Sequence, residues 1–126
     1  VVDHYKDEEH GVPFQWGGWA RIDKNLTDEV CKKMFDAGCH HLTFGFESGS
    51  PRINKEMKKG YKFREYDNDY AAEVFKNCMN NGIQTVLFLI VGYPTETKED
   101  FEDTMNFLKI RKKFAMYQLH GWHFLF

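Results

Sequence analysis

The sequence is short of cysteine, of net charge and of long apolar runs, and each shortage excludes something. Its three cysteines are Cys31, Cys39 and Cys78. An odd number with no CxxC pair is a poor disulfide framework, so a reducing cytoplasm is the expected setting. The formal net charge is −2, which argues against a general nucleic-acid surface, since that needs a basic stripe. No apolar run is long enough to span a membrane, and no basic, apolar and small-residue sequence marks a signal peptide. A P-loop, a GxGxxG and a nucleophile–base pair are all missing. What remains is a 126-residue chain with 42% apolar and 17% aromatic residues. That suits one domain, or part of one, with a packed core. It starts at Val1 and stops inside the apolar run His123-Phe124-Leu125-Phe126, so an excerpt of a longer protein is expected.

The periodicity predicts alternating elements. Residues 1–13 are polar, with Gly11 and Pro13 as breakers, and read as a loop or helix end. Residues 14–22 suit a strand weakened by Gly17 and Gly18. Thr27 is placed to cap a helix whose apolar face is Val30, Cys31, Met34 and Phe35, ended by Gly38. A short strand follows at 40–46, and a short helix is expected within 52–58. A second helix, about 67–81, presents Ala71, Val74, Phe75, Cys78 and Met79 and stops at Gly82. The run Ile83–Val91 is almost unbroken in its apolarity, which predicts a strand buried on both faces. A third helix begins near Thr97, with Asp100 as a capping-box partner. Its expected apolar face is Phe101, Met105, Leu108 and Phe107, with Lys109, Arg111, Lys112 and Lys113 at its negative end. Residues 114–126 read as one more strand. The order β-α-β-α-β-α-β implies α/β architecture with a parallel sheet and right-handed crossovers, open or curved into a barrel. Function then concentrates at the carboxyl ends of the strands.

Several strand ends carry suggestive chemistry. Glu47 emerges after the second strand in Gly45-Phe46-Glu47-Ser48-Gly49-Ser50. A carboxylate there suits the diol of a ribose, or else bonds nearby turn amides. Lys59 is either a point charge for a substrate carboxylate or a solvated loop cation. Arg21 ends the first strand and either pairs with Asp23 or meets an anion at the rim. Ile90 and Val91 suit packing against a flat base, and Gly92 allows close approach to the backbone. The helix from Thr97 offers amides to an anion; a tight strand-to-helix turn is the plainer reading. Cys31, Cys39 and Cys78 lie on helix faces or at a helix end and read as core. His40 and His41 open a strand. His120 and His123 would point to opposite faces of a strand, which is no single metal site.

These stretches, taken in order, resemble the radical S-adenosylmethionine superfamily. The residues that carry the resemblance are Trp19-Ala20-Arg21-Ile22-Asp23, Asp36-Ala37-Gly38-Cys39, Gly45-Phe46-Glu47-Ser48-Gly49-Ser50 and Met57-Lys58-Lys59-Gly60. The last is the run from Ile90-Val91-Gly92-Tyr93-Pro94 to Asp100. The likeness covers about 14–110 and is nearest the branch often joined to a cobalamin-binding domain, which also resembles the methylthiotransferases.

The resemblance implies a six-stranded partial TIM-like barrel, (β/α)6, of which this chain supplies approximately strands three to six as the C-terminal part of the core domain. It implies a 4Fe-4S cluster held upstream by CxxxCxxC, and reductive cleavage of S-adenosylmethionine to a 5′-deoxyadenosyl radical. It assigns Glu47 to the cofactor ribose, Lys59 to the same cofactor, and Arg21 to a rim position. Ile90, Val91 and Gly92 fall on the adenine-packing strand end. Relatives with an acid four residues before that glycine have here Phe88 instead. The cluster motif is not in these residues, so the fragment alone is expected to be inactive, and no catalytic or metal-ligating residue is assigned in it. Cobalamin would be held by another domain. The substrate is unassigned, and exposed sheet edges would make the isolated fragment self-associate. Two alternatives stand beside this: a non-catalytic binding or assembly domain of the same fold, and an unrelated parallel α/β enzyme that binds a phosphorylated ligand near 95–97.

Overall fold

A computed structural model describes residues 14–57, 68–111 and 116–121. The elements in chain order are β1 (Trp16–Ala20), α1 (Asp28–Asp36), β2 (Cys39–Glu47), α2 (Pro51–Glu56), α3 (Asn68–Asn80), β3 (Gln84–Val91), α4 (Lys98–Arg111) and β4 (Met116–Gly121). The expected alternation is therefore present, with α2 as the short extra helix after β2. The expected loop at 1–13, the cations Lys112 and Lys113, and His123 lie outside the described residues.

The four strands form one sheet in the order β1-β2-β3-β4, every neighbouring pair parallel. Helical connections between parallel strands place helices against the sheet. Leu42, Phe44 and Phe46 of β2 and Leu87 and Leu89 of β3 point into one core with Cys31 of α1. Ala71, Val74, Phe75 and Cys78 of α3, with Phe107 and Leu108 of α4, complete it. Four aromatic rings knit its centre: Phe46 stacks on Phe107 at 4.4 Å, and Phe75 lies against Phe44 at 5.2 Å.

The other sheet face is barer, and this corrects the reading of β3 as buried on both faces. Thr85, Leu87 and Leu89 are buried, but Val86, Phe88 and Ile90 are only half-buried. On the same face His41 and Gly45 are exposed, and Trp19 of β1 is 73% exposed, its ring 5.2 Å from that of Phe88. A long apolar run cannot separate two covered faces from one covered face and one awaiting a partner.

Local chemistry explains the element ends. The Thr27 hydroxyl accepts the Val30 amide at the start of α1, with Asp28 and Glu29 in the first turn where the helix dipole favours them. Ser50 caps α2 in the same way through the Ile53 amide, and Pro51 occupies the first helical turn. Three expectations need correction. Val30 is exposed, so the buried face of α1 centres on Cys31. Cys39 opens β2 rather than ending a helix. In α4 the buried positions are Asp100, Thr104, Phe107 and Leu108, and Phe101 is 38% exposed. Two polar residues therefore stand on the inward face of that helix.

Candidate functional site

Because all strands run parallel, the carboxyl ends of β1, β2 and β3 share one edge of the sheet. That edge gathers Arg21, Glu47 and the segment Ile90-Val91-Gly92. Arg21 is exposed and follows β1, which ends at Ala20 rather than at Arg21 itself. The neighbouring Asp23 carboxylate accepts the Asn25 amide at 2.7 Å, a local turn. Lys59 lies outside the described residues.

Glu47 is the unusual residue of the edge. It is 8% exposed and its backbone φ is 67°, alone in the left-handed region among the described non-glycine residues. The pairing of β2 with β3 slips between Gly45 and Glu47. This bulge breaks the in–out alternation, so that Phe46 and Glu47 are both buried. A non-glycine residue in that conformation costs of order 1–3 kcal/mol and persists only where its surroundings over-determine it.

The surroundings are dense. The Ser48 amide donates back to the Phe46 carbonyl at 2.8 Å, and the Ser50 amide donates to the Ser48 hydroxyl at 3.0 Å. Asn54 of α2 donates to the Ser48 carbonyl at 2.7 Å, while its own Oδ1 is buried without a hydrogen-bond partner. The Gly49 amide donates to Thr104 Oγ1 of α4 at 2.8 Å. A side chain at Gly49 would sit 2.5 Å from the Thr104 Cα and 2.9 Å from the Asp103 carbonyl, so α4 packs directly on the loop backbone. Thr104 on the inward face of α4 is thereby explained.

Asp100 is explained by the same loop. Its carboxylate accepts from the Ser50 hydroxyl at 2.6 Å, from the Thr97 amide and hydroxyl at 2.8 Å each, and from the Arg52 guanidinium through both Nε and Nη2. Arg52 first, then Ser50 and Thr97, hold the Asp100 carboxyl well below the usual carboxylate range. Arg52 also donates to the Thr95 carbonyl at 2.6 Å and to Glu56 at 2.8 Å.

One expectation about the β3 end changes. Three of the amides there are engaged internally: Thr97 N is taken by Asp100, Asp100 N donates to the Thr97 hydroxyl, and Gly92 N donates to Glu96 at 2.7 Å. The capping box is thus complete, and Glu96, Glu99 and Asp100 surround it with negative charge. Gly92 itself has φ 80°, with open space where a side chain would stand. Glycine is favoured there by the turn, and among the described residues nothing lies within 4 Å of where its side chain would begin.

The geometry is that of a parallel α/β sheet with a constrained acid at the carboxyl ends of its strands. The Radical SAM superfamily domain matches residues 20–108. The chain belongs to the radical SAM superfamily. It is 30% identical over 102 residues to an uncharacterized methyltransferase of Pyrococcus horikoshii, covering 81% of this chain and 21% of that protein. It is 38% identical over 88 residues to the tRNA-2-methylthio-N(6)-dimethylallyladenosine synthase of Acetivibrio thermocellus, covering 68% of this chain and 18% of the synthase. Among solved structures it resembles the radical S-adenosylmethionine methyltransferase TsrM from Kitasatospora setae, determined with cobalamin and a 4Fe-4S cluster bound. That match has a TM-score of 0.69 at 16% identity, over 82% of this chain and 19% of TsrM. The cobalamin-dependent radical enzyme OxsB, with aqua-cobalamin bound, superposes with a TM-score of 0.63 at 18% identity, over 84% of this chain and 15% of OxsB. The radical SAM chain described here thus spans about a fifth of the length of the curated relatives it matches.

The superfamily uses S-adenosylmethionine with a 4Fe-4S cluster. The described residues do not fit the cluster. Cys31, Cys39 and Cys78 are all buried and free, with Cys31 and Cys78 facing each other across α1 and α3 at 3.7 Å. Burial pushes all three thiols up, Cys39 to about 11, the wrong direction for a thiolate ligand. Among the described residues no group of three or more His, Cys, Asp or Glu converges on a metal position. A carboxylate on the functional edge does fit S-adenosylmethionine, whose ribose hydroxyls are donors to an acceptor-only group. Among the described residues no helix is long and apolar enough to cross a membrane.

Proposed function

We propose that this chain forms the S-adenosylmethionine-cradling part of a radical SAM enzyme, supplying strands three to six of its partial barrel. The observation that carries the reading is Glu47, buried at the carboxyl end of β2 on a bulge with φ 67°. Strain at a strand end in a ligand-binding architecture is maintained for placement. In this reading Glu47 accepts the cofactor's ribose hydroxyls, while Ile90, Val91 and Gly92 offer the adenine an apolar strand end and an unobstructed backbone. Arg21 and Lys59 add positive charge near the cofactor's anionic end. The cluster, which supplies the electron for reductive cleavage when bound, is held by residues of the full-length protein outside those described. The full-length protein is then an enzyme, and a cobalamin domain is consistent with the company the fold keeps.

The phosphorylated-ligand reading is disfavoured, because Thr97 N and Asp100 N are engaged internally and Glu96, Glu99 and Asp100 put negative charge at the start of α4. A non-catalytic domain of the same fold differs only in the full-length sequence, where absence of CxxxCxxC would favour it. The decisive measurement is calorimetry of S-adenosylmethionine binding to the anaerobically reconstituted full-length protein, wild type against Glu47→Ala. Loss of hydrogen bonds to a charged group predicts a weakening of about 10- to 100-fold. Unchanged affinity in Glu47→Ala would remove Glu47 from the site.

A further inference from the structure

Arg52 and Asp100 stand 48 positions apart in the chain and join the two loops that flank the proposed cofactor edge. On one side lies the loop that continues directly from Glu47. Ser50 of that loop caps α2 and donates to Asp100. Gly49 and Ser48 of the same loop meet Thr104, with Ser48 Oγ 3.2 Å from Thr104 Oγ1. On the other side lies the loop that continues from Gly92. Its Thr95 carbonyl accepts from Arg52, its Thr95 hydroxyl donates to Glu56, and its Thr97 amide and hydroxyl both donate to Asp100. The Asp100 side chain is 8% exposed and that of Arg52 is 45% exposed. The pair therefore has one end anchored in the fold and one end reachable from solvent.

We propose that the Arg52–Asp100 pair holds the loop after β3 against the loop after β2, beyond the last ladder pair Glu47–Leu89, and so fixes the affinity for S-adenosylmethionine without contacting it. The proposal rests on the reading of Glu47 and Ile90–Gly92 as the two sides of that cofactor's site. Arg52 and Asp100 are positioning residues. The guanidinium is suited to the task because its fork holds the Asp100 carboxylate and the Thr95 carbonyl at once. A lysine keeps the charge but not the fork. A rim opened by a fraction of an ångström leaves each side intact and loses their simultaneous contact with one ligand.

The test uses the reconstituted full-length protein and three single variants, each followed by calorimetry with S-adenosylmethionine and by thermal unfolding. Arg52→Ala is expected to weaken binding about tenfold, with Arg52→Lys recovering part of the loss. Val74→Ala, in the α3 core and remote from the edge, serves as a destabilised control and should bind within about twofold of wild type. Wild-type affinity in Arg52→Ala, or an equal loss in Val74→Ala, overturns the proposal. If Arg52→Ala does not fold, Arg52→Lys carries the test: affinity unchanged in it counts against the fork. Glu47→Ala, which removes the acceptor altogether, separates the two levels. Should it bind normally, the site itself is misplaced and the positioning role falls with it. Should it weaken binding while both Arg52 variants bind normally, only the positioning role is lost.

Discussion

Glu47 combines burial, a backbone φ of 67° and a place at a strand end. These properties predict opposite effects on stability and function. Glu47→Ala and Glu47→Gly both delete the carboxylate and whatever it bonds, but only glycine relieves the left-handed backbone. The glycine variant should therefore be more stable than the alanine variant by about 1 kcal/mol, while neither binds S-adenosylmethionine well. Denaturant unfolding of the two proteins side by side measures the difference. Equal stability would mean that Glu47 is not strained. The sequence made the position of this acid legible, since it follows an apolar strand. It could not reveal the bulge, because nothing in the identity of a glutamate announces a positive φ. Asp100 was legible as a capping partner three residues from Thr97, a local pattern. Its bond to Arg52 was not, because a contact over 48 positions leaves no periodic trace.

At the scale of elements, the strands and helices were readable wherever burial follows a simple period. The faces of α1 and α3 centre on cysteines, and Cys31 and Cys78 meet between those helices without bonding covalently. α4 was harder to read: its inward face carries Asp100 and Thr104, so polarity masks the apolar stripe. Those two side chains bond the loop after β2, which makes α4 both a core element and a support of the edge. The cysteine packing makes a separate prediction. Desolvation raises all three thiols, so burial and a disfavoured thiolate both oppose reaction in the folded state. A thiol-specific reagent should leave native protein unmodified at about pH 8 and label all three sites once denaturant is added. Rapid labelling of the native protein would show that the α1–α3 contact opens readily, contrary to a packed helix pair.

For the whole molecule, the sheet poses a problem of coverage. Parallel sheets are almost always covered on both faces, yet here Trp19 stands 73% exposed on a face that also shows His41, Gly45 and Phe88. The outer strands add to this. β1 reads Trp-Gly-Gly-Trp-Ala and β4 reads Met-Tyr-Gln-Leu-His-Gly, and neither contains the lysine, proline or acidic residue that commonly blunts an edge. In a six-stranded partial barrel of which these are strands three to six, strands one and two would continue from the β1 edge and curl the bare face inward. We therefore propose that the 126-residue chain, produced alone, self-associates through those edges, its bare face sheltered between copies. Light scattering over a range of concentrations tests this, with oligomers growing as concentration rises. Trp19→Lys should shift the distribution toward monomer, since a charge on the bare face opposes its burial. A monodisperse monomer at every concentration would mean that the face and edges are tolerated in water. The same substitution in the full-length protein should lower stability instead, because there the barrel wall would surround Trp19, and a buried lysine carries the desolvation cost that solvent spares it in the fragment.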